Sequence, residues 1–145
     1  MREVRLTAKG ERWRRSAHPW SYRDDLQGLD AKLAGQVVRV RAPDGELVGQ
    51  AFCNPASKIA LRWLTADPGE PVDRRFWAAR LQAALDLRER VVRDSNACRL
   101  IHSEADGFPG LIADRYGDVL VVQVLSRGME EIFAVVLDLL KEAIS

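Results

Sequence analysis

The segment Asp67-Pro68-Gly69-Glu70-Pro71 places the strongest constraint on how this chain can fold. Two prolines and a glycine within five residues interrupt helices and strands, because proline lacks a backbone N–H donor and glycine has few conformational limits. The segment divides the 145-residue chain into residues 1–67 and 68–145. The first part carries 12 Lys/Arg and 8 Asp/Glu, whereas the second carries 10 and 13. We therefore expect two small domains with different partners.

The first domain has the alternating pattern of β-strands. The first clear strand is predicted over residues 36–41, with Val38 and Val40 on one face and Arg39 and Arg41 on the other. Pro43-Asp44-Gly45 follows as a tight turn. Further strands are predicted over residues 47–53 and 58–63, the last with Ile59, Leu61 and Trp63 on one face and Lys58, Ala60 and Arg62 on the other. Short strands joined by Gly/Pro turns predict a small barrel or sandwich.

The second domain mixes helices and strands. Asp73 is the predicted N-cap of a helix over residues 74–93, whose buried side would hold Trp77, Leu81, Ala84 and Val91. Strands are predicted over residues 99–105, 111–116 and 119–126, with a turn at Tyr116-Gly117-Asp118. A final amphipathic helix begins near Met129 and meets no stop signal, which is typical of a chain cut from a longer one. The predicted fold class is α+β: a small β-barrel, then helix, three strands and helix.

Composition excludes several classes of protein. The chain is 47% hydrophobic and 30% charged, which is typical of a globular protein. It contains no apolar run that could span a bilayer and no leader sequence, which indicates a cytoplasmic protein without a membrane partner. Cys53 and Cys98 lack CxxC spacing, so zinc-ribbon and redox motifs are excluded. Both cysteines are predicted to be small buried side chains.

His102, Glu104 and Asp106 form the one candidate catalytic group. Alternate residues of a strand share a face, so these three side chains could bind a metal or share a proton. The alternative, which we favour, is a turn over Asp106-Gly107-Phe108-Pro109-Gly110 that Asp106 caps. The sequence contains no glycine motif for nucleotides and no nucleophile motif. We therefore predict no catalytic, cofactor-binding or metal-binding residue within these 145 residues.

The segment KGERWRRSAHPW, residues 9–20, is the strongest candidate for binding a ligand. Its cations can hold a phosphate backbone and its aromatic side chains can stack on unpaired bases. In the alternative interpretation, Trp13, Trp20 and Tyr22 belong to the core and the arginines form a solvated face. The residues themselves indicate an RNA surface that includes Arg12, Arg14, Arg15 and Arg23, with Arg39, Arg41, Lys58 and Arg62 as neighbours.

The chain also resembles a known family of enzymes. Lys9-Gly10, His18-Pro19-Trp20, the strand hairpin and Asn54-Pro55-Ala56-Ser57-Lys58-Ile59 are similar to the PUA domain of the ribosomal large-subunit RNA methyltransferase I family. Glu104-Ala105-Asp106-Gly107-Phe108-Pro109-Gly110 and Asp114-Arg115-Tyr116-Gly117 are similar to the central α+β domain of that family. The resemblance covers nearly the whole chain, and the combination of the last two motifs is fairly specific.

The resemblance implies a PUA-like RNA-binding domain over residues 1–67 and an α+β connecting domain over residues 68–145. It places the RNA contacts around Lys9, Gly10, His18, Pro19 and Trp20. The family uses S-adenosylmethionine to make 5-methylcytosine, and its cofactor-binding domain and catalytic cysteine would lie beyond this chain. Neither cysteine present here matches that nucleophile, so no cofactor is expected in these residues.

Three functions follow from these observations. The first is the RNA-binding, non-catalytic N-terminal part of an rRNA (cytosine-5) methyltransferase, with large-subunit rRNA as partner. The second is a stand-alone PUA-type RNA-binding adaptor, against which the uncapped final helix argues. The third is a small hydrolase or metal enzyme that uses His102, Glu104 and Asp106. The sequence does not define an oligomeric state.

Overall fold

A computed structural model describes residues 2–144 and divides the chain into two compact units. Met1–Glu70 is unit 1 and Pro71–Ser145 is unit 2. The segment that follows the last strand of unit 1 is held by Gln50, whose buried side-chain amide donates to the carbonyls of Asp67 (3.0 Å) and Glu70 (2.6 Å). Among residues 2–144, no helix has both the length and the apolar character needed to cross a bilayer.

Unit 1 is a nearly closed six-stranded barrel, which confirms the predicted fold class. Its elements are β1 (Glu3–Leu6), α1 (Ala8–Arg15), β2 (Trp20–Tyr22), β3 (Leu26–Gln27), β4 (Val37–Arg41), β5 (Leu47–Cys53) and β6 (Ile59–Thr65). The strand order along the sheet is β2-β6-β5-β4-β1-β3. β1 runs parallel to β4, and the other neighbours are antiparallel. Helix α1 connects β1 to β2.

The barrel interior contains the apolar face predicted from the alternation of β4. Val38 and Val40 are fully buried, together with Leu6 of β1 and Cys53 of β5. Burial raises the pKa of the Cys53 thiol from 9.0 to about 11, so this side chain acts as a small hydrophobic residue. The predicted alternation of β6 is wrong, because Ala60 and its neighbour Leu61 are both buried. β6 pairs on both sides, and each pairing contains a register shift that disturbs the simple two-residue period.

Unit 2 contains the predicted helix, three antiparallel strands and helix. The elements are α2 (Arg74–Val91), β7 (Ala97–His102), β8 (Leu111–Tyr116), β9 (Val119–Val124) and α3 (Arg127–Ile144), and the strand order is β7-β8-β9. Helix α2 begins as predicted, since the Asp73 carboxylate accepts a hydrogen bond from the Phe76 amide (3.1 Å). The core of unit 2 contains Trp77 and Phe108, whose ring centroids lie 5.4 Å apart.

Four details of unit 2 differ from the prediction. Val91 is 64% exposed, because it is the last residue of α2 and lies beyond the packed face. Cys98 is half-buried. Strand β7 ends at His102, since the chain turns there into a short 3₁₀ helix at Ser103–Asp106. The final helix begins at Arg127, because the Ser126 hydroxyl accepts a hydrogen bond from the Met129 amide (3.2 Å) and so acts as its N-cap.

Candidate nucleic-acid interface

Most of the basic segment forms the helix α1, which the sequence analysis did not predict. Thr7 has an extended backbone, and its hydroxyl accepts a hydrogen bond from the Gly10 amide (3.1 Å). This N-cap starts a helix whose residues are mostly charged, so the sequence lacks the regular spacing of apolar residues that indicates an amphipathic helix. The signal that could have revealed the helix is the threonine at the position before Ala8.

Gly10 fixes α1 against the short 3₁₀ helix at Arg23–Asp25. A Cβ atom on Gly10 would lie 2.5 Å from the carbonyl oxygen of Asp25, closer than any real contact. The Thr7 amide also donates to that carbonyl (2.9 Å). Gly10 is buried, so it serves to position α1 and offers no side chain to a ligand.

Glu11 is the buried anionic centre of α1. Arg14 donates to both carboxylate oxygens of Glu11, and the Arg15 Nε donates to one of them at 3.1 Å. The hydrogen bond from Arg14 lowers the pKa of Glu11 below its ordinary value of 4.5, and Arg15 adds to this effect while burial opposes it. Arg14 and Arg15 share this one negative charge, which offsets one of their two positive charges, and Arg15 keeps a side chain that is 76% exposed.

The free energy of unfolding of unit 1 is expected to fall as the pH drops below about 4.5, in part through Glu11. Because the folded-state pKa of Glu11 is the lower one, the unfolded chain binds its proton first, so the contribution is complete above 4.5 and is lost on acidification. Urea unfolding between pH 3 and 6 would measure this dependence. Glu11→Gln should flatten the curve relative to the original protein. Identical pH dependence of the two proteins would contradict the assignment.

The remaining cations of α1 face solvent. Lys9, Arg12, Trp13 and Ser16 line an open concavity of about 370 Å³. The Lys9 side chain is 66% exposed, and its ammonium lies 4.0 Å from the Asp25 carboxylate, a distance at which an exposed pair contributes little. Arg12 is exposed on the same face. This surface can attract a phosphate group and place a base against the indole of Trp13.

Aromatic rings continue this surface beyond the end of α1. The His18 ring lies 5.3 Å from the Trp13 ring, 6.0 Å from the Trp20 ring and 5.9 Å from the Tyr22 ring. His18 Nδ1 lies 3.2 Å from the Trp20 amide nitrogen and 3.0 Å from the Trp20 carbonyl oxygen, and these contacts with the backbone fix the orientation of the imidazole. The Arg62 guanidinium of β6 lies 5.5 Å from the centre of the Trp20 ring, a cation–π contact.

The structure brings most of the predicted contact residues onto one part of unit 1. Lys9, Arg12 and Arg15 are exposed on α1, Arg14 is half-buried against Glu11, and Gly10 lies underneath. His18 and Trp20 are half-buried, and Pro19 and Arg23 are exposed. The interpretation of the tryptophans as core residues does not hold for Trp13, which is 40% exposed. Arg39 and Arg41 belong to β4, where Arg41 donates to the Glu3 carboxylate (2.6 Å).

The candidate catalytic group of unit 2 is a structural turn. The Asp106 carboxylate accepts hydrogen bonds from the His102 amide (2.7 Å) and from the Arg88 guanidinium (2.8 Å). Arg80 donates to the Gly107 carbonyl (2.7 Å), and Phe108 is fully buried. Residues 2–144 contain no group of three His, Cys, Asp or Glu side chains that could hold a metal ion. The shared strand face proposed for His102, Glu104 and Asp106 does not exist, because residues 103–106 are helical.

Comparison with known proteins extends this picture. Residues 4–66 match the model of a PUA-like domain. Ribosomal RNA large subunit methyltransferase I from Shewanella denitrificans is 37% identical over 132 residues, which cover 88% of this chain and 33% of that protein. The proteins of the same name from Shewanella amazonensis and Cronobacter sakazakii are 39% and 37% identical over 116 residues, 78% of this chain and 29% of each protein. The chain thus spans about one third of the length of these relatives.

Solved structures share the fold of both units. A candidate methyltransferase crystallised with SAH has a TM-score of 0.85 and 17% identity, over 98% of this chain and 37% of its own. A candidate SAM-dependent methyltransferase from Streptococcus mutans has a TM-score of 0.83 at the same identity, over 98% of this chain and 38% of its own. Residues 4–66 are therefore a PUA-like domain, and most of the chain is similar to about one third of the length of the ribosomal RNA large subunit methyltransferase I proteins.

Proposed function

We propose that this chain is the RNA-handling, non-catalytic N-terminal part of an rRNA (cytosine-5) methyltransferase that acts in the cytoplasm on large-subunit rRNA. Unit 1 binds the RNA through the exposed face of α1 and the aromatic rings that follow it. Unit 2 connects unit 1 to the part of the enzyme that transfers the methyl group. The observation that carries the proposal is the pairing of exposed Lys9 and Arg12 with the exposed ring of Trp13 on one helix of a PUA-like domain.

The residues described here do not fit a site for S-adenosylmethionine. A cofactor of this kind binds where a strand enters a helix through glycines that let the backbone approach the ligand. Within residues 2–144, the connections from a strand into an α-helix are Thr7 before α1, residues 66–73 before α2, and Leu125 and Ser126 before α3. The one glycine among them is Gly69, so none carries the spaced glycines of such a site, and no step of methyl transfer is assigned to these residues.

RNA binding would be tested by fluorescence anisotropy with single-stranded fragments of large-subunit rRNA at several salt concentrations. The double variant Lys9→Ala/Arg12→Ala removes two exposed cations and leaves the Glu11 network intact. Each neutralised phosphate contributes about 0.7 to the slope of log affinity against log salt on a single strand, so the slope should fall by about 1.4. Affinity at low salt should fall several-fold for every sequence tested.

Arg75→Ala/Arg90→Ala is the matched control, because it removes two exposed cations from α2 of unit 2. The control variant should keep the original slope. Equal losses in the two double variants would show that RNA binds by net charge alone, and the proposed surface would then be wrong. No binding by the original protein would refute the function itself.

A further inference from the structure

A second concavity of unit 1 lies next to the exposed face of α1 but faces a different set of residues. It has a volume of about 340 Å³ and is bounded by the end of α1, by the connection to β2 and by strands β5 and β6. Its apolar wall includes Val48 and the half-buried indole of Trp63, and its polar wall includes Arg14, His18 and Thr65. A volume of this size falls within the range of small-molecule sites.

The walls of this cavity are fixed in position. The Trp63 indole N–H donates to the Ser21 hydroxyl (2.9 Å), and the Trp63 amide donates to the Pro19 carbonyl (3.1 Å). Gly49 lets the indole lie against β5, since a Cβ there would be 3.0 Å from the Trp63 ring. Ala17 closes the end of α1 in the left-handed region (φ 61°), a conformation that is costly for a residue with a side chain. The cavity is therefore formed before any ligand arrives.

The chemistry of the lining suits a planar, neutral ring attached to a negative chain. Among residues 2–144, no carboxylate lines the cavity. The Thr65 hydroxyl accepts from the Asp67 amide (3.1 Å), which leaves its own proton to donate. The Arg14 guanidinium binds Glu11 through Nε and one terminal nitrogen, and its other terminal nitrogen carries further donors. The donors of Arg14 and Thr65 can bind the carbonyl oxygens on the edge of a nucleobase, and the indole of Trp63 can stack on its flat face.

We propose that this cavity takes one unpaired nucleobase of the bound RNA. The inference rests on the proposed function, because the phosphates beside the base would be held by the cations of α1. A base within a duplex cannot enter a cavity of this kind, since both of its faces are stacked and its edge is paired. Unit 1 therefore distinguishes an RNA with an extruded or single-stranded base from a continuous duplex.

The test fills the cavity without removing a charge. Ala66 is exposed in the loop after β6 and lines the cavity, so Ala66→Phe should block the base and leave the barrel folded. Loss of one stacked base should weaken binding of single-stranded RNA about tenfold. The salt slope should not change, because no cation is lost. Ala31→Phe is the control, since Ala31 is exposed in the 3₁₀ helix at Ala31–Leu33 and does not line the cavity.

A 2-aminopurine placed in the single-stranded RNA would report stacking directly. Its fluorescence should fall on binding to the original protein and to Ala31→Phe, and it should fall less on binding to Ala66→Phe. If Ala66→Phe and Ala31→Phe bind the strand equally well, the cavity does not take a base, although the proposed function stands as long as Lys9→Ala/Arg12→Ala lowers the slope. If the original protein prefers a continuous duplex to a single strand, the inference is also overturned. If the original protein binds no RNA, both proposals fail.

Discussion

Replacement of Trp77 by alanine is expected to lower the free energy of unfolding of unit 2 by about 3–5 kcal/mol. The indole is 2% exposed, and its ring centroid lies 4.9 Å from that of Phe76 and 5.4 Å from that of Phe108. The large expected effect has two causes. The substitution empties a site that close neighbours cannot fill, and it removes the support for Phe108, which anchors the turn after Asp106.

Urea unfolding followed by far-ultraviolet circular dichroism would measure this loss. Helices α2 and α3 contain 18 residues each and α1 contains eight, so the helical signal reports mainly on unit 2. Leu87→Ala is the control, because Leu87 lies on the same helix but is 40% exposed. A loss for Trp77→Ala no greater than that of the control would show that the aromatic core does not hold unit 2 together.

Replacement of Gly49 by alanine is expected to destabilise unit 1 by about 2–4 kcal/mol. A Cβ atom at this position would lie 2.4 Å from the Thr65 carbonyl oxygen, and the backbone has φ of 155°. Thr65 belongs to β6, whose backbone is held by pairing to both β2 and β5 and cannot move aside cheaply. The methyl group must therefore push β6 away from β5 or break part of their pairing.

Gly69→Ala provides the comparison for Gly49→Ala. A Cβ on Gly69 would lie at an ordinary 3.5 Å from the Asp67 side chain, so this substitution should change stability little. The intrinsic fluorescence of Trp63, measured as a function of urea in a protein whose other tryptophans are phenylalanine, would report on unit 1 alone. Equal stability of the two alanine variants would mean that β5 and β6 can separate freely at this point.

The parts of the fold that were predictable are those with a local signal. The alternation around Val38 and Val40 indicated β4, and Asp73 marked the start of α2. Helix α1 gave no such pattern, because it is short and its residues are mostly charged. The short 3₁₀ helix after His102 was missed for a different reason: it depends on Arg88, which is distant in sequence and binds Asp106.

The candidate site was only partly predictable for a similar reason. The residue types of the basic segment, residues 9–20, indicated phosphate and base contacts, but they did not show which of its cations are free of an ion pair with Glu11. Once α1 is known to be helical, Glu11 lies three and four residues before Arg14 and Arg15, and the pairing follows from that spacing. The cavity beside Trp63 could not be predicted, since it depends on how β6 packs against the end of α1.

The strand order of unit 1 has a consequence for how the protein is made. Helix α1 joins β1, which pairs with β4, to β2, which pairs with β6. Synthesis therefore makes α1 before the two strands that hold its ends, residues 37–41 and 59–65. Contacts so distant in sequence form late, because the intervening chain must first be ordered. A nascent chain that has not yet been extended to Thr65 thus carries the whole basic helix and still lacks the finished surface.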